Sequence, residues 1–294
     1  MGVIKSNVIT RRDFIRGSIG TAVGAAITST KFIHAEDQPT LSKVTVTRNK
    51  NVMDSEFNID INNLAEMLDQ TILDVTGKKY IDEAWLALFK KNDIIGIVTT
   101  PHLNPTHDEL VDVVKASLRK IGISENNIIM AQGSLDKPKK CTALICLPAL
   151  KAHWLTGIGT VIKNYIMFSG RPRNYHNEDS AKLGEIWHLP EIKDKTRLIL
   201  VDALNPLCDK GPQVDPRYLW PYKGLIAGTD PVAVESICLK IILAKRKIIK
   251  GESWPLSPPP LCVEAADKVY GLGTSDLNKI KIHTIGWKEE LLLS

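Results

Sequence analysis

Two apolar rhythms alternate along the chain from about residue 43 onward. Lys43-Val-Thr-Val-Thr-Arg48 alternates apolar and polar positions, which predicts a half-buried strand. Over residues 57–75, Ile61, Leu64, Ala65, Leu68, Ile72 and Val75 recur at three- and four-residue steps, which predicts a helix; Ile81 to Phe89 predicts a second, shorter one. Asp93-Ile-Ile-Gly-Ile-Val98 is an apolar run of strand length. Thr106-His-Asp-Glu109 then has the form of a capping box. The helix it opens sets Leu110, Val113, Val114, Ser117, Leu118 and Ile121 on one side, and Gly122 ends it. Asn127-Ile-Ile-Met-Ala131 is the next strand. Residues 93–131 thus predict a strand–helix–strand unit, with parallel strands and a right-handed crossover.

Thr142-Ala-Leu-Ile-Cys-Leu147 reads as a buried strand, followed by a stretch from Pro148 to Asn164 that holds two lysines, a histidine and two glycines. Arg171 to Asp179 is polar and aperiodic, a loop, and a short helical piece holds Trp187 and His188. Thr196 to Ala203 and Gly224 to Gly228 are strands. Asp230 caps a helix with Pro231 at its first turn, where the missing N–H is harmless; the helix runs to about Lys245. A proline-rich turn over residues 251–260, a helix from Cys262 to Tyr270 and a strand from Ile280 to Ile285 complete the pattern. The expected architecture is α/β: a doubly wound, mostly parallel sheet with helices on both faces, residues 36–294 forming one domain.

Charge changes the picture at one end only. Residues 1–35 hold Lys5, Arg11, Arg12, Arg16 and Lys31 against Asp13 alone, and the remainder is nearly neutral with 33 basic and 32 acidic residues. That leaves no concentrated basic surface, so nucleic acid is not an expected partner. Thr10-Arg11-Arg12-Asp13-Phe14-Ile15-Arg16, followed by a mild apolar stretch from Gly17 to Thr30, resembles a twin-arginine export signal. The stretch is too short to span roughly 30 Å of hydrocarbon. We expect residues 1–35 to be an export leader, cleaved after Ala35, the twin-arginine export machinery to be a partner, and the protein to be periplasmic or extracellular. That route carries folded proteins, often with a cofactor already inserted.

The candidate chemistry lies beyond the Thr142–Leu147 strand. In open α/β sheets ligands sit in the crevice outside the carboxyl ends of the strands. Lys151, His153 and Lys163 are the candidates there, with Gly157 and Gly159 between His153 and Lys163, and Asn164 adjacent. If the glycines turn tightly into a helix, backbone N–H groups and a lysine cradle an anion, and His153 acts as acid or base. Asp202, expected at the end of its strand, is a candidate ligand or orienting carboxylate; Asp230 is read as a cap. His102 and His176 are candidate metal ligands, whereas His107, on a first helical turn, is more often solvated than ligating. His188 is read as packing and His283 as structural. Cys141, Cys146, Cys208, Cys238 and Cys262 form no C-x-x-C pair, so a zinc or iron–sulfur site is not expected; Cys146 and Cys238 lie in apolar runs and read as buried, inert thiols. Gly157-Ile-Gly159 lacks the rest of a nucleotide fingerprint.

Several pieces, in order, resemble the domain-of-unknown-function family numbered 362: Ile95-Gly-Ile97; Thr106-His-Asp-Glu-Leu110; Leu147-Pro-Ala-Leu-Lys-Ala-His153; Gly157 followed by Lys163-Asn164; Leu189-Pro-Glu-Ile192; Leu200-Val-Asp-Ala-Leu204; Gly211-Pro212; and Thr229-Asp-Pro-Val-Ala233. The resemblance covers about residues 90–285, and members of that family often carry twin-arginine leaders. More faintly, Lys-x-His, a glycine-containing turn and a lysine ten residues after the histidine resemble the nickel-pincer lactate racemases. That likeness implies an acid/base role for His153, a cofactor tether at Lys163 and a nickel ligand at His176. Thr99-Thr100-Pro101 stands where those enzymes have an arginine. Two readings follow: an exported protein that binds a small anionic ligand and performs metal- or cofactor-assisted acid/base chemistry on it, the cofactor being a metal or a metal–nucleotide; or a non-catalytic binding or accessory protein for an exported redox or metal enzyme.

Overall fold

The computed structural model describes residues 41–293; the expected export leader, residues 1–35, lies outside them. Among the described residues there are nine strands: β1 (Ser42–Arg48), β2 (Ile95–Thr99), β3 (Ile128–Met130), β4 (Ala143–Leu147), β5 (Ala149–His153), β6 (Gly157–Ile158), β7 (Thr196–Leu207), β8 (Gly224–Gly228) and β9 (Ile280–Gly286). The sheet runs β3-β2-β4-β7-β8-β1-β9, with β5 against β7 and β6 against β5. β3, β2, β4 and β7 are mutually parallel, as are β1 and β9, while β8 is antiparallel to both of its neighbours. The sheet is therefore mixed and mostly parallel.

Alternation along the strands feeds two cores. Val98, Cys146, Ile199, Val201 and Ile226 face one side, where α4 (Pro231–Lys250), α5 (Leu261–Lys268) and a series of 3-10 turns cover them. Ile95, Ile97, Ile145, Leu198 and Leu200 face the other, under α1 (Ile61–Thr76), α2 (Ile81–Leu88) and α3 (Asp108–Lys120). Each fully buried aliphatic side chain contributes roughly 1.5–3 kcal/mol. Helices on both faces of a mostly parallel sheet are the expected architecture.

Local signals fix several boundaries. Asp60 caps α1 through a bond from Asn63 N, and Gly77 ends it at φ 68°. Asp230 Oδ1 accepts from both Val232 N and Ala233 N, with Pro231 opening α4 as expected, though α4 continues to Lys250. The capping box at Thr106 is not formed. α3 begins at Asp108 with His107 as its cap residue. Thr106 Oγ1 instead donates to Leu147 O at 2.8 Å and accepts from Thr100 N at 3.0 Å. Those bonds pin the β2–α3 loop to the end of β4, and the Thr106 hydroxyl makes no bond to the first turn of α3.

The stretch after β4 also differs from expectation. Pro148 interrupts the ladder for one residue, its carbonyl accepting from Asp202 N at 2.8 Å, and the chain continues as β5 alongside the second half of β7. β5 then folds back through β6, pairing Ala152 with Ile158 and His153 with Gly157. The glycines thus belong to a hairpin rather than a turn into a helix. β7 is also longer than predicted, so Asp202 lies within it and not at its end.

Candidate functional site

Lys151 and His153 are two residues apart on β5, so the strand's period of two sends both side chains to one face. Both are buried, at 4% and 7% exposure. The Lys151 ammonium donates to Leu103 O at 2.8 Å and Asn104 O at 3.0 Å, gripping the β2–α3 loop where both residues have positive φ. Burial, and then the charge of Lys163, lowers its pKa to about 7.

His153 is held in one tautomer. The backbone N–H of Leu155 donates to its Nδ1 at 3.1 Å, so the ring proton sits on Nε2. Gly159 makes room for the ring: a Cβ there would stand 3.0 Å from His153 Cβ and 3.2 Å from Cδ2. Burial, then Lys163, His176 and Lys151, depress its pKa to about 2, so the imidazole is neutral across the physiological range. With the Nδ1 lone pair engaged and Nε2 protonated, His153 is a hydrogen-bond donor and a poor base. This geometry does not suit the acid/base role expected of it.

Lys163 arrives on a 3-10 turn, Ile162–Ser169, and His176 is the extended residue between two others. Glu235, fully buried on α4, accepts the N–H of Ile162 through Oε2 at 2.7 Å and so anchors the turn that carries Lys163. Burial lowers the Lys163 pKa to about 8, with a small opposing effect from Cys262. Among the described residues its ammonium makes no hydrogen bond or ion pair. His176 precedes the turn Asn177–His188, and Asn177 N bonds Leu155 O at 2.7 Å, tying it to the β5–β6 hairpin. Its ring lies nearly parallel to that of His153, centroids 5.8 Å apart and 10° between planes. Burial and Lys163 lower its pKa as well.

Four nitrogen groups therefore share one neighbourhood, and none of them gains from a carboxylate. The other expected site residues take structural positions. Asn164 Nδ2 donates to Val98 O at 2.7 Å, fastening the Lys163 turn to β2. Gly157, at φ 74°, lies where a Cβ would meet Pro258 O at 2.7 Å and Pro260 N at 2.8 Å, so its absent side chain admits the proline-rich loop. Asp202 is an orienting carboxylate, and the residue it orients is His107: Oδ2 lies 2.7 Å from His107 Nδ1 and accepts the His107 N–H at 2.8 Å, while Oδ1 accepts from Leu204 N. Sequence reasoning placed His107 on the first helical turn as a solvated residue, whereas it is the cap residue paired with Asp202, and did not single out Glu235, whose only local signal is an acidic residue inside an apolar helix.

A bare metal ion does not fit this donor set. His102 is exposed on the β2–α3 loop, His153 has its Nδ1 occupied, and among the described residues no three His, Cys, Asp or Glu side chains converge as a metal site. All five cysteines are unpaired and buried. Cys146, Cys208 and Cys262 have pKa values pushed up, by burial first in each case, so these thiols are protonated and unreactive. His188 bonds Tyr270 O and His283 bonds Asp74, both outside the cluster. No helix among the described residues is long and apolar enough to cross a membrane.

The family described as Domain of unknown function (DUF362) matches residues 84–240, which span β2 through the first half of α4 and every residue of the cluster. The chain belongs to that family. No curated protein and no solved structure matches it.

Proposed function

We propose that this member of the DUF362 family is an exported protein that binds a small anionic ligand between Lys163, His153 and His176, with Lys151 behind them. The observation that carries the reading is a cluster of four nitrogen groups without a carboxylate, in which the Lys163 ammonium has no partner among the described residues. An unpaired buried or half-buried ammonium is costly; Lys163, lowered by its own burial, further lowers Lys151, His153 and His176, and with no carboxylate among the four an anion is the missing partner. His153 contributes its Nε2–H, a directional donor of fixed tautomer. Of the two functional classes, binding is favoured over acid/base catalysis, because His153 has no free basic nitrogen. The twin-arginine pattern at residues 10–16 supports export to the periplasm or beyond.

A second reading rests on Lys163. A pKa near 8 leaves a fraction of free amine at neutral pH, which suits covalent attachment of a carbonyl or acyl group. In that case the anion is a resident cofactor linked through Lys163, brought in before export, and any metal would enter with ligands of its own.

Native mass spectrometry on protein exported by its own leader, with calorimetric titration of sulfate and oxalate, tests both. Saturable binding of either anion, lost in Lys163→Ala, supports the first reading. An added covalent mass that disappears in Lys163→Ala supports the second. A bare chain that binds neither anion sinks both.

A further inference from the structure

We propose a second ligand site, independent of the first: the cavity between α4, α5 and the C-terminal tail takes one anionic amphiphile, its acyl chain inside and its head group on Lys240 and Lys247. The cavity has a volume of about 1040 Å³, at the upper end of the roughly 300–1,000 Å³ of small-molecule sites. Its walls are largely aliphatic, from Leu239, Leu243 and Ile248 on α4 to Leu277 and the tail at Leu291 and Leu292. The tail is fixed as a wall, because Tyr222 donates to Leu291 O at 2.9 Å and Leu292 is 9% exposed.

Two features select the occupant. Two of the wall hydroxyls are already engaged within the protein: Ser236 Oγ donates to Val232 O and Ser275 Oγ to Asp267, each at 2.8 Å. Such a surface has little to offer the amides of a peptide or the hydroxyls of a sugar, whose desolvation would go uncompensated. A polymethylene chain needs no such partners. At the rim, Lys240 and Lys247 stand two helical turns apart on the lining face of α4, about 10 Å along the axis. Neither is in an ion pair among the described residues; Glu290, which also lines the cavity, faces Lys245 at 3.6 Å. Two cations without counter-charge beside an aliphatic cavity match a carboxylate, sulfate or phosphate on an acyl chain.

The test is calorimetric titration of the full chain with laurate below its micelle concentration, beside dodecyl maltoside, which has the same chain and a neutral head. Saturable one-to-one laurate binding is expected, with dodecyl maltoside weaker by about tenfold. Lys240→Glu with Lys247→Glu should weaken laurate by roughly threefold to tenfold, as for one half-exposed and one exposed charge contact. Ala244→Trp, which fills the cavity, should abolish it, and Leu243→Lys does the same job should the tryptophan variant fail to fold. Lys163→Ala should leave laurate binding unchanged, which separates this site from the anion cluster. Equal affinity for both detergents, non-saturating uptake, or full binding in a folded cavity-filled variant overturns the proposal. So does a concentration-dependent dimer, detected by sedimentation, that buries the cavity and excludes laurate.

Discussion

Asp202 Oδ2 lies 2.7 Å from His107 Nδ1 and takes the backbone N–H of the same residue at 2.8 Å, so one carboxylate oxygen both orients the ring and secures the residue that caps α3. Against the effect of burial, Asp202 raises the pKa of His107 above its ordinary 6.5. The pair's contribution is therefore full below pH 6.5 and is lost as pH rises through the folded value. Asp202→Asn should bring the NMR titration midpoint of His107 down and reduce stability by about 1–3 kcal/mol, the difference being largest below pH 6.5. A midpoint that does not move would refute the assignment.

Lys163 titrates near 8 in the folded chain against 10.5 unfolded. The folded state holds this proton less tightly, so its penalty is full below about pH 8 and vanishes above 10.5. Lys163→Met should accordingly raise the thermal midpoint at pH 7, by about 2–4 °C for each kcal/mol relieved, while losing sulfate binding. A variant less stable than wild type at pH 7 would show that Lys163 is there for packing alone.

An anion seated on the cluster returns the lysines toward their ordinary pKa, so binding takes up protons. Sulfate affinity should be highest below pH 7 and fall above pH 8, by up to about tenfold per pH unit for each proton taken up. Calorimetry in two buffers of different ionisation enthalpy reads that uptake directly. Sulfate binding with no proton uptake at pH 8 would separate the ligand from Lys151 and Lys163.

How much of this was legible in the sequence depends on the range of the interactions. β8 and the start of α4 were readable because Asp230 and Pro231 act within three residues. The β5–β6 hairpin was hidden because Lys151 and His153, polar side chains that are nonetheless buried, make a strand look like a loop. Thr106 was misread because its hydroxyl serves Leu147, 41 positions away. Lys151 and His153 share a face through strand period alone. The arrival of Lys163 depends on Glu235, and that of His176 on a backbone bond to Leu155. Neither partnership leaves a local pattern, and the His107–Asp202 pair, 95 positions apart, leaves none either.

Glu235 supplies an independent pH dependence. Burial raises its pKa to about 8, although the N–H groups of Ile162 and Val161 oppose this, and Oε1 has no partner. The folded state therefore holds a proton that the unfolded chain has released above pH 4.5, and the associated stability falls between pH 4.5 and 8. Glu235→Gln keeps an acceptor for Ile162 and removes the titration. It should stabilise the protein at pH 8 by on the order of a few kcal/mol and change little at pH 4.5. Parallel denaturation curves across that range, with no narrowing of the gap toward low pH, would rule out a buried titrating carboxyl.

The two hairpin glycines separate fold from site. At Gly157 a methyl group meets backbone, Pro258 O and Pro260 N, and the residue stands at φ 74°; Gly157→Ala should therefore cost about 1–3 kcal/mol wherever the ligand stands. At Gly159 the nearest atoms are those of the His153 side chain, at 3.0–3.3 Å. A side chain can yield where a backbone cannot, so Gly159→Ala should cost less than Gly157→Ala, about 1 kcal/mol. It should nevertheless tilt the His153 ring off Leu155 N and free its tautomer. The expected signature is a fall in sulfate affinity well beyond the change in stability, together with a shift of the His153 ring nitrogen resonances toward a tautomeric mixture. Sulfate binding untouched by Gly159→Ala, with the His153 resonances moved, would remove His153 from the ligand site and leave Lys163 and His176 to hold the anion.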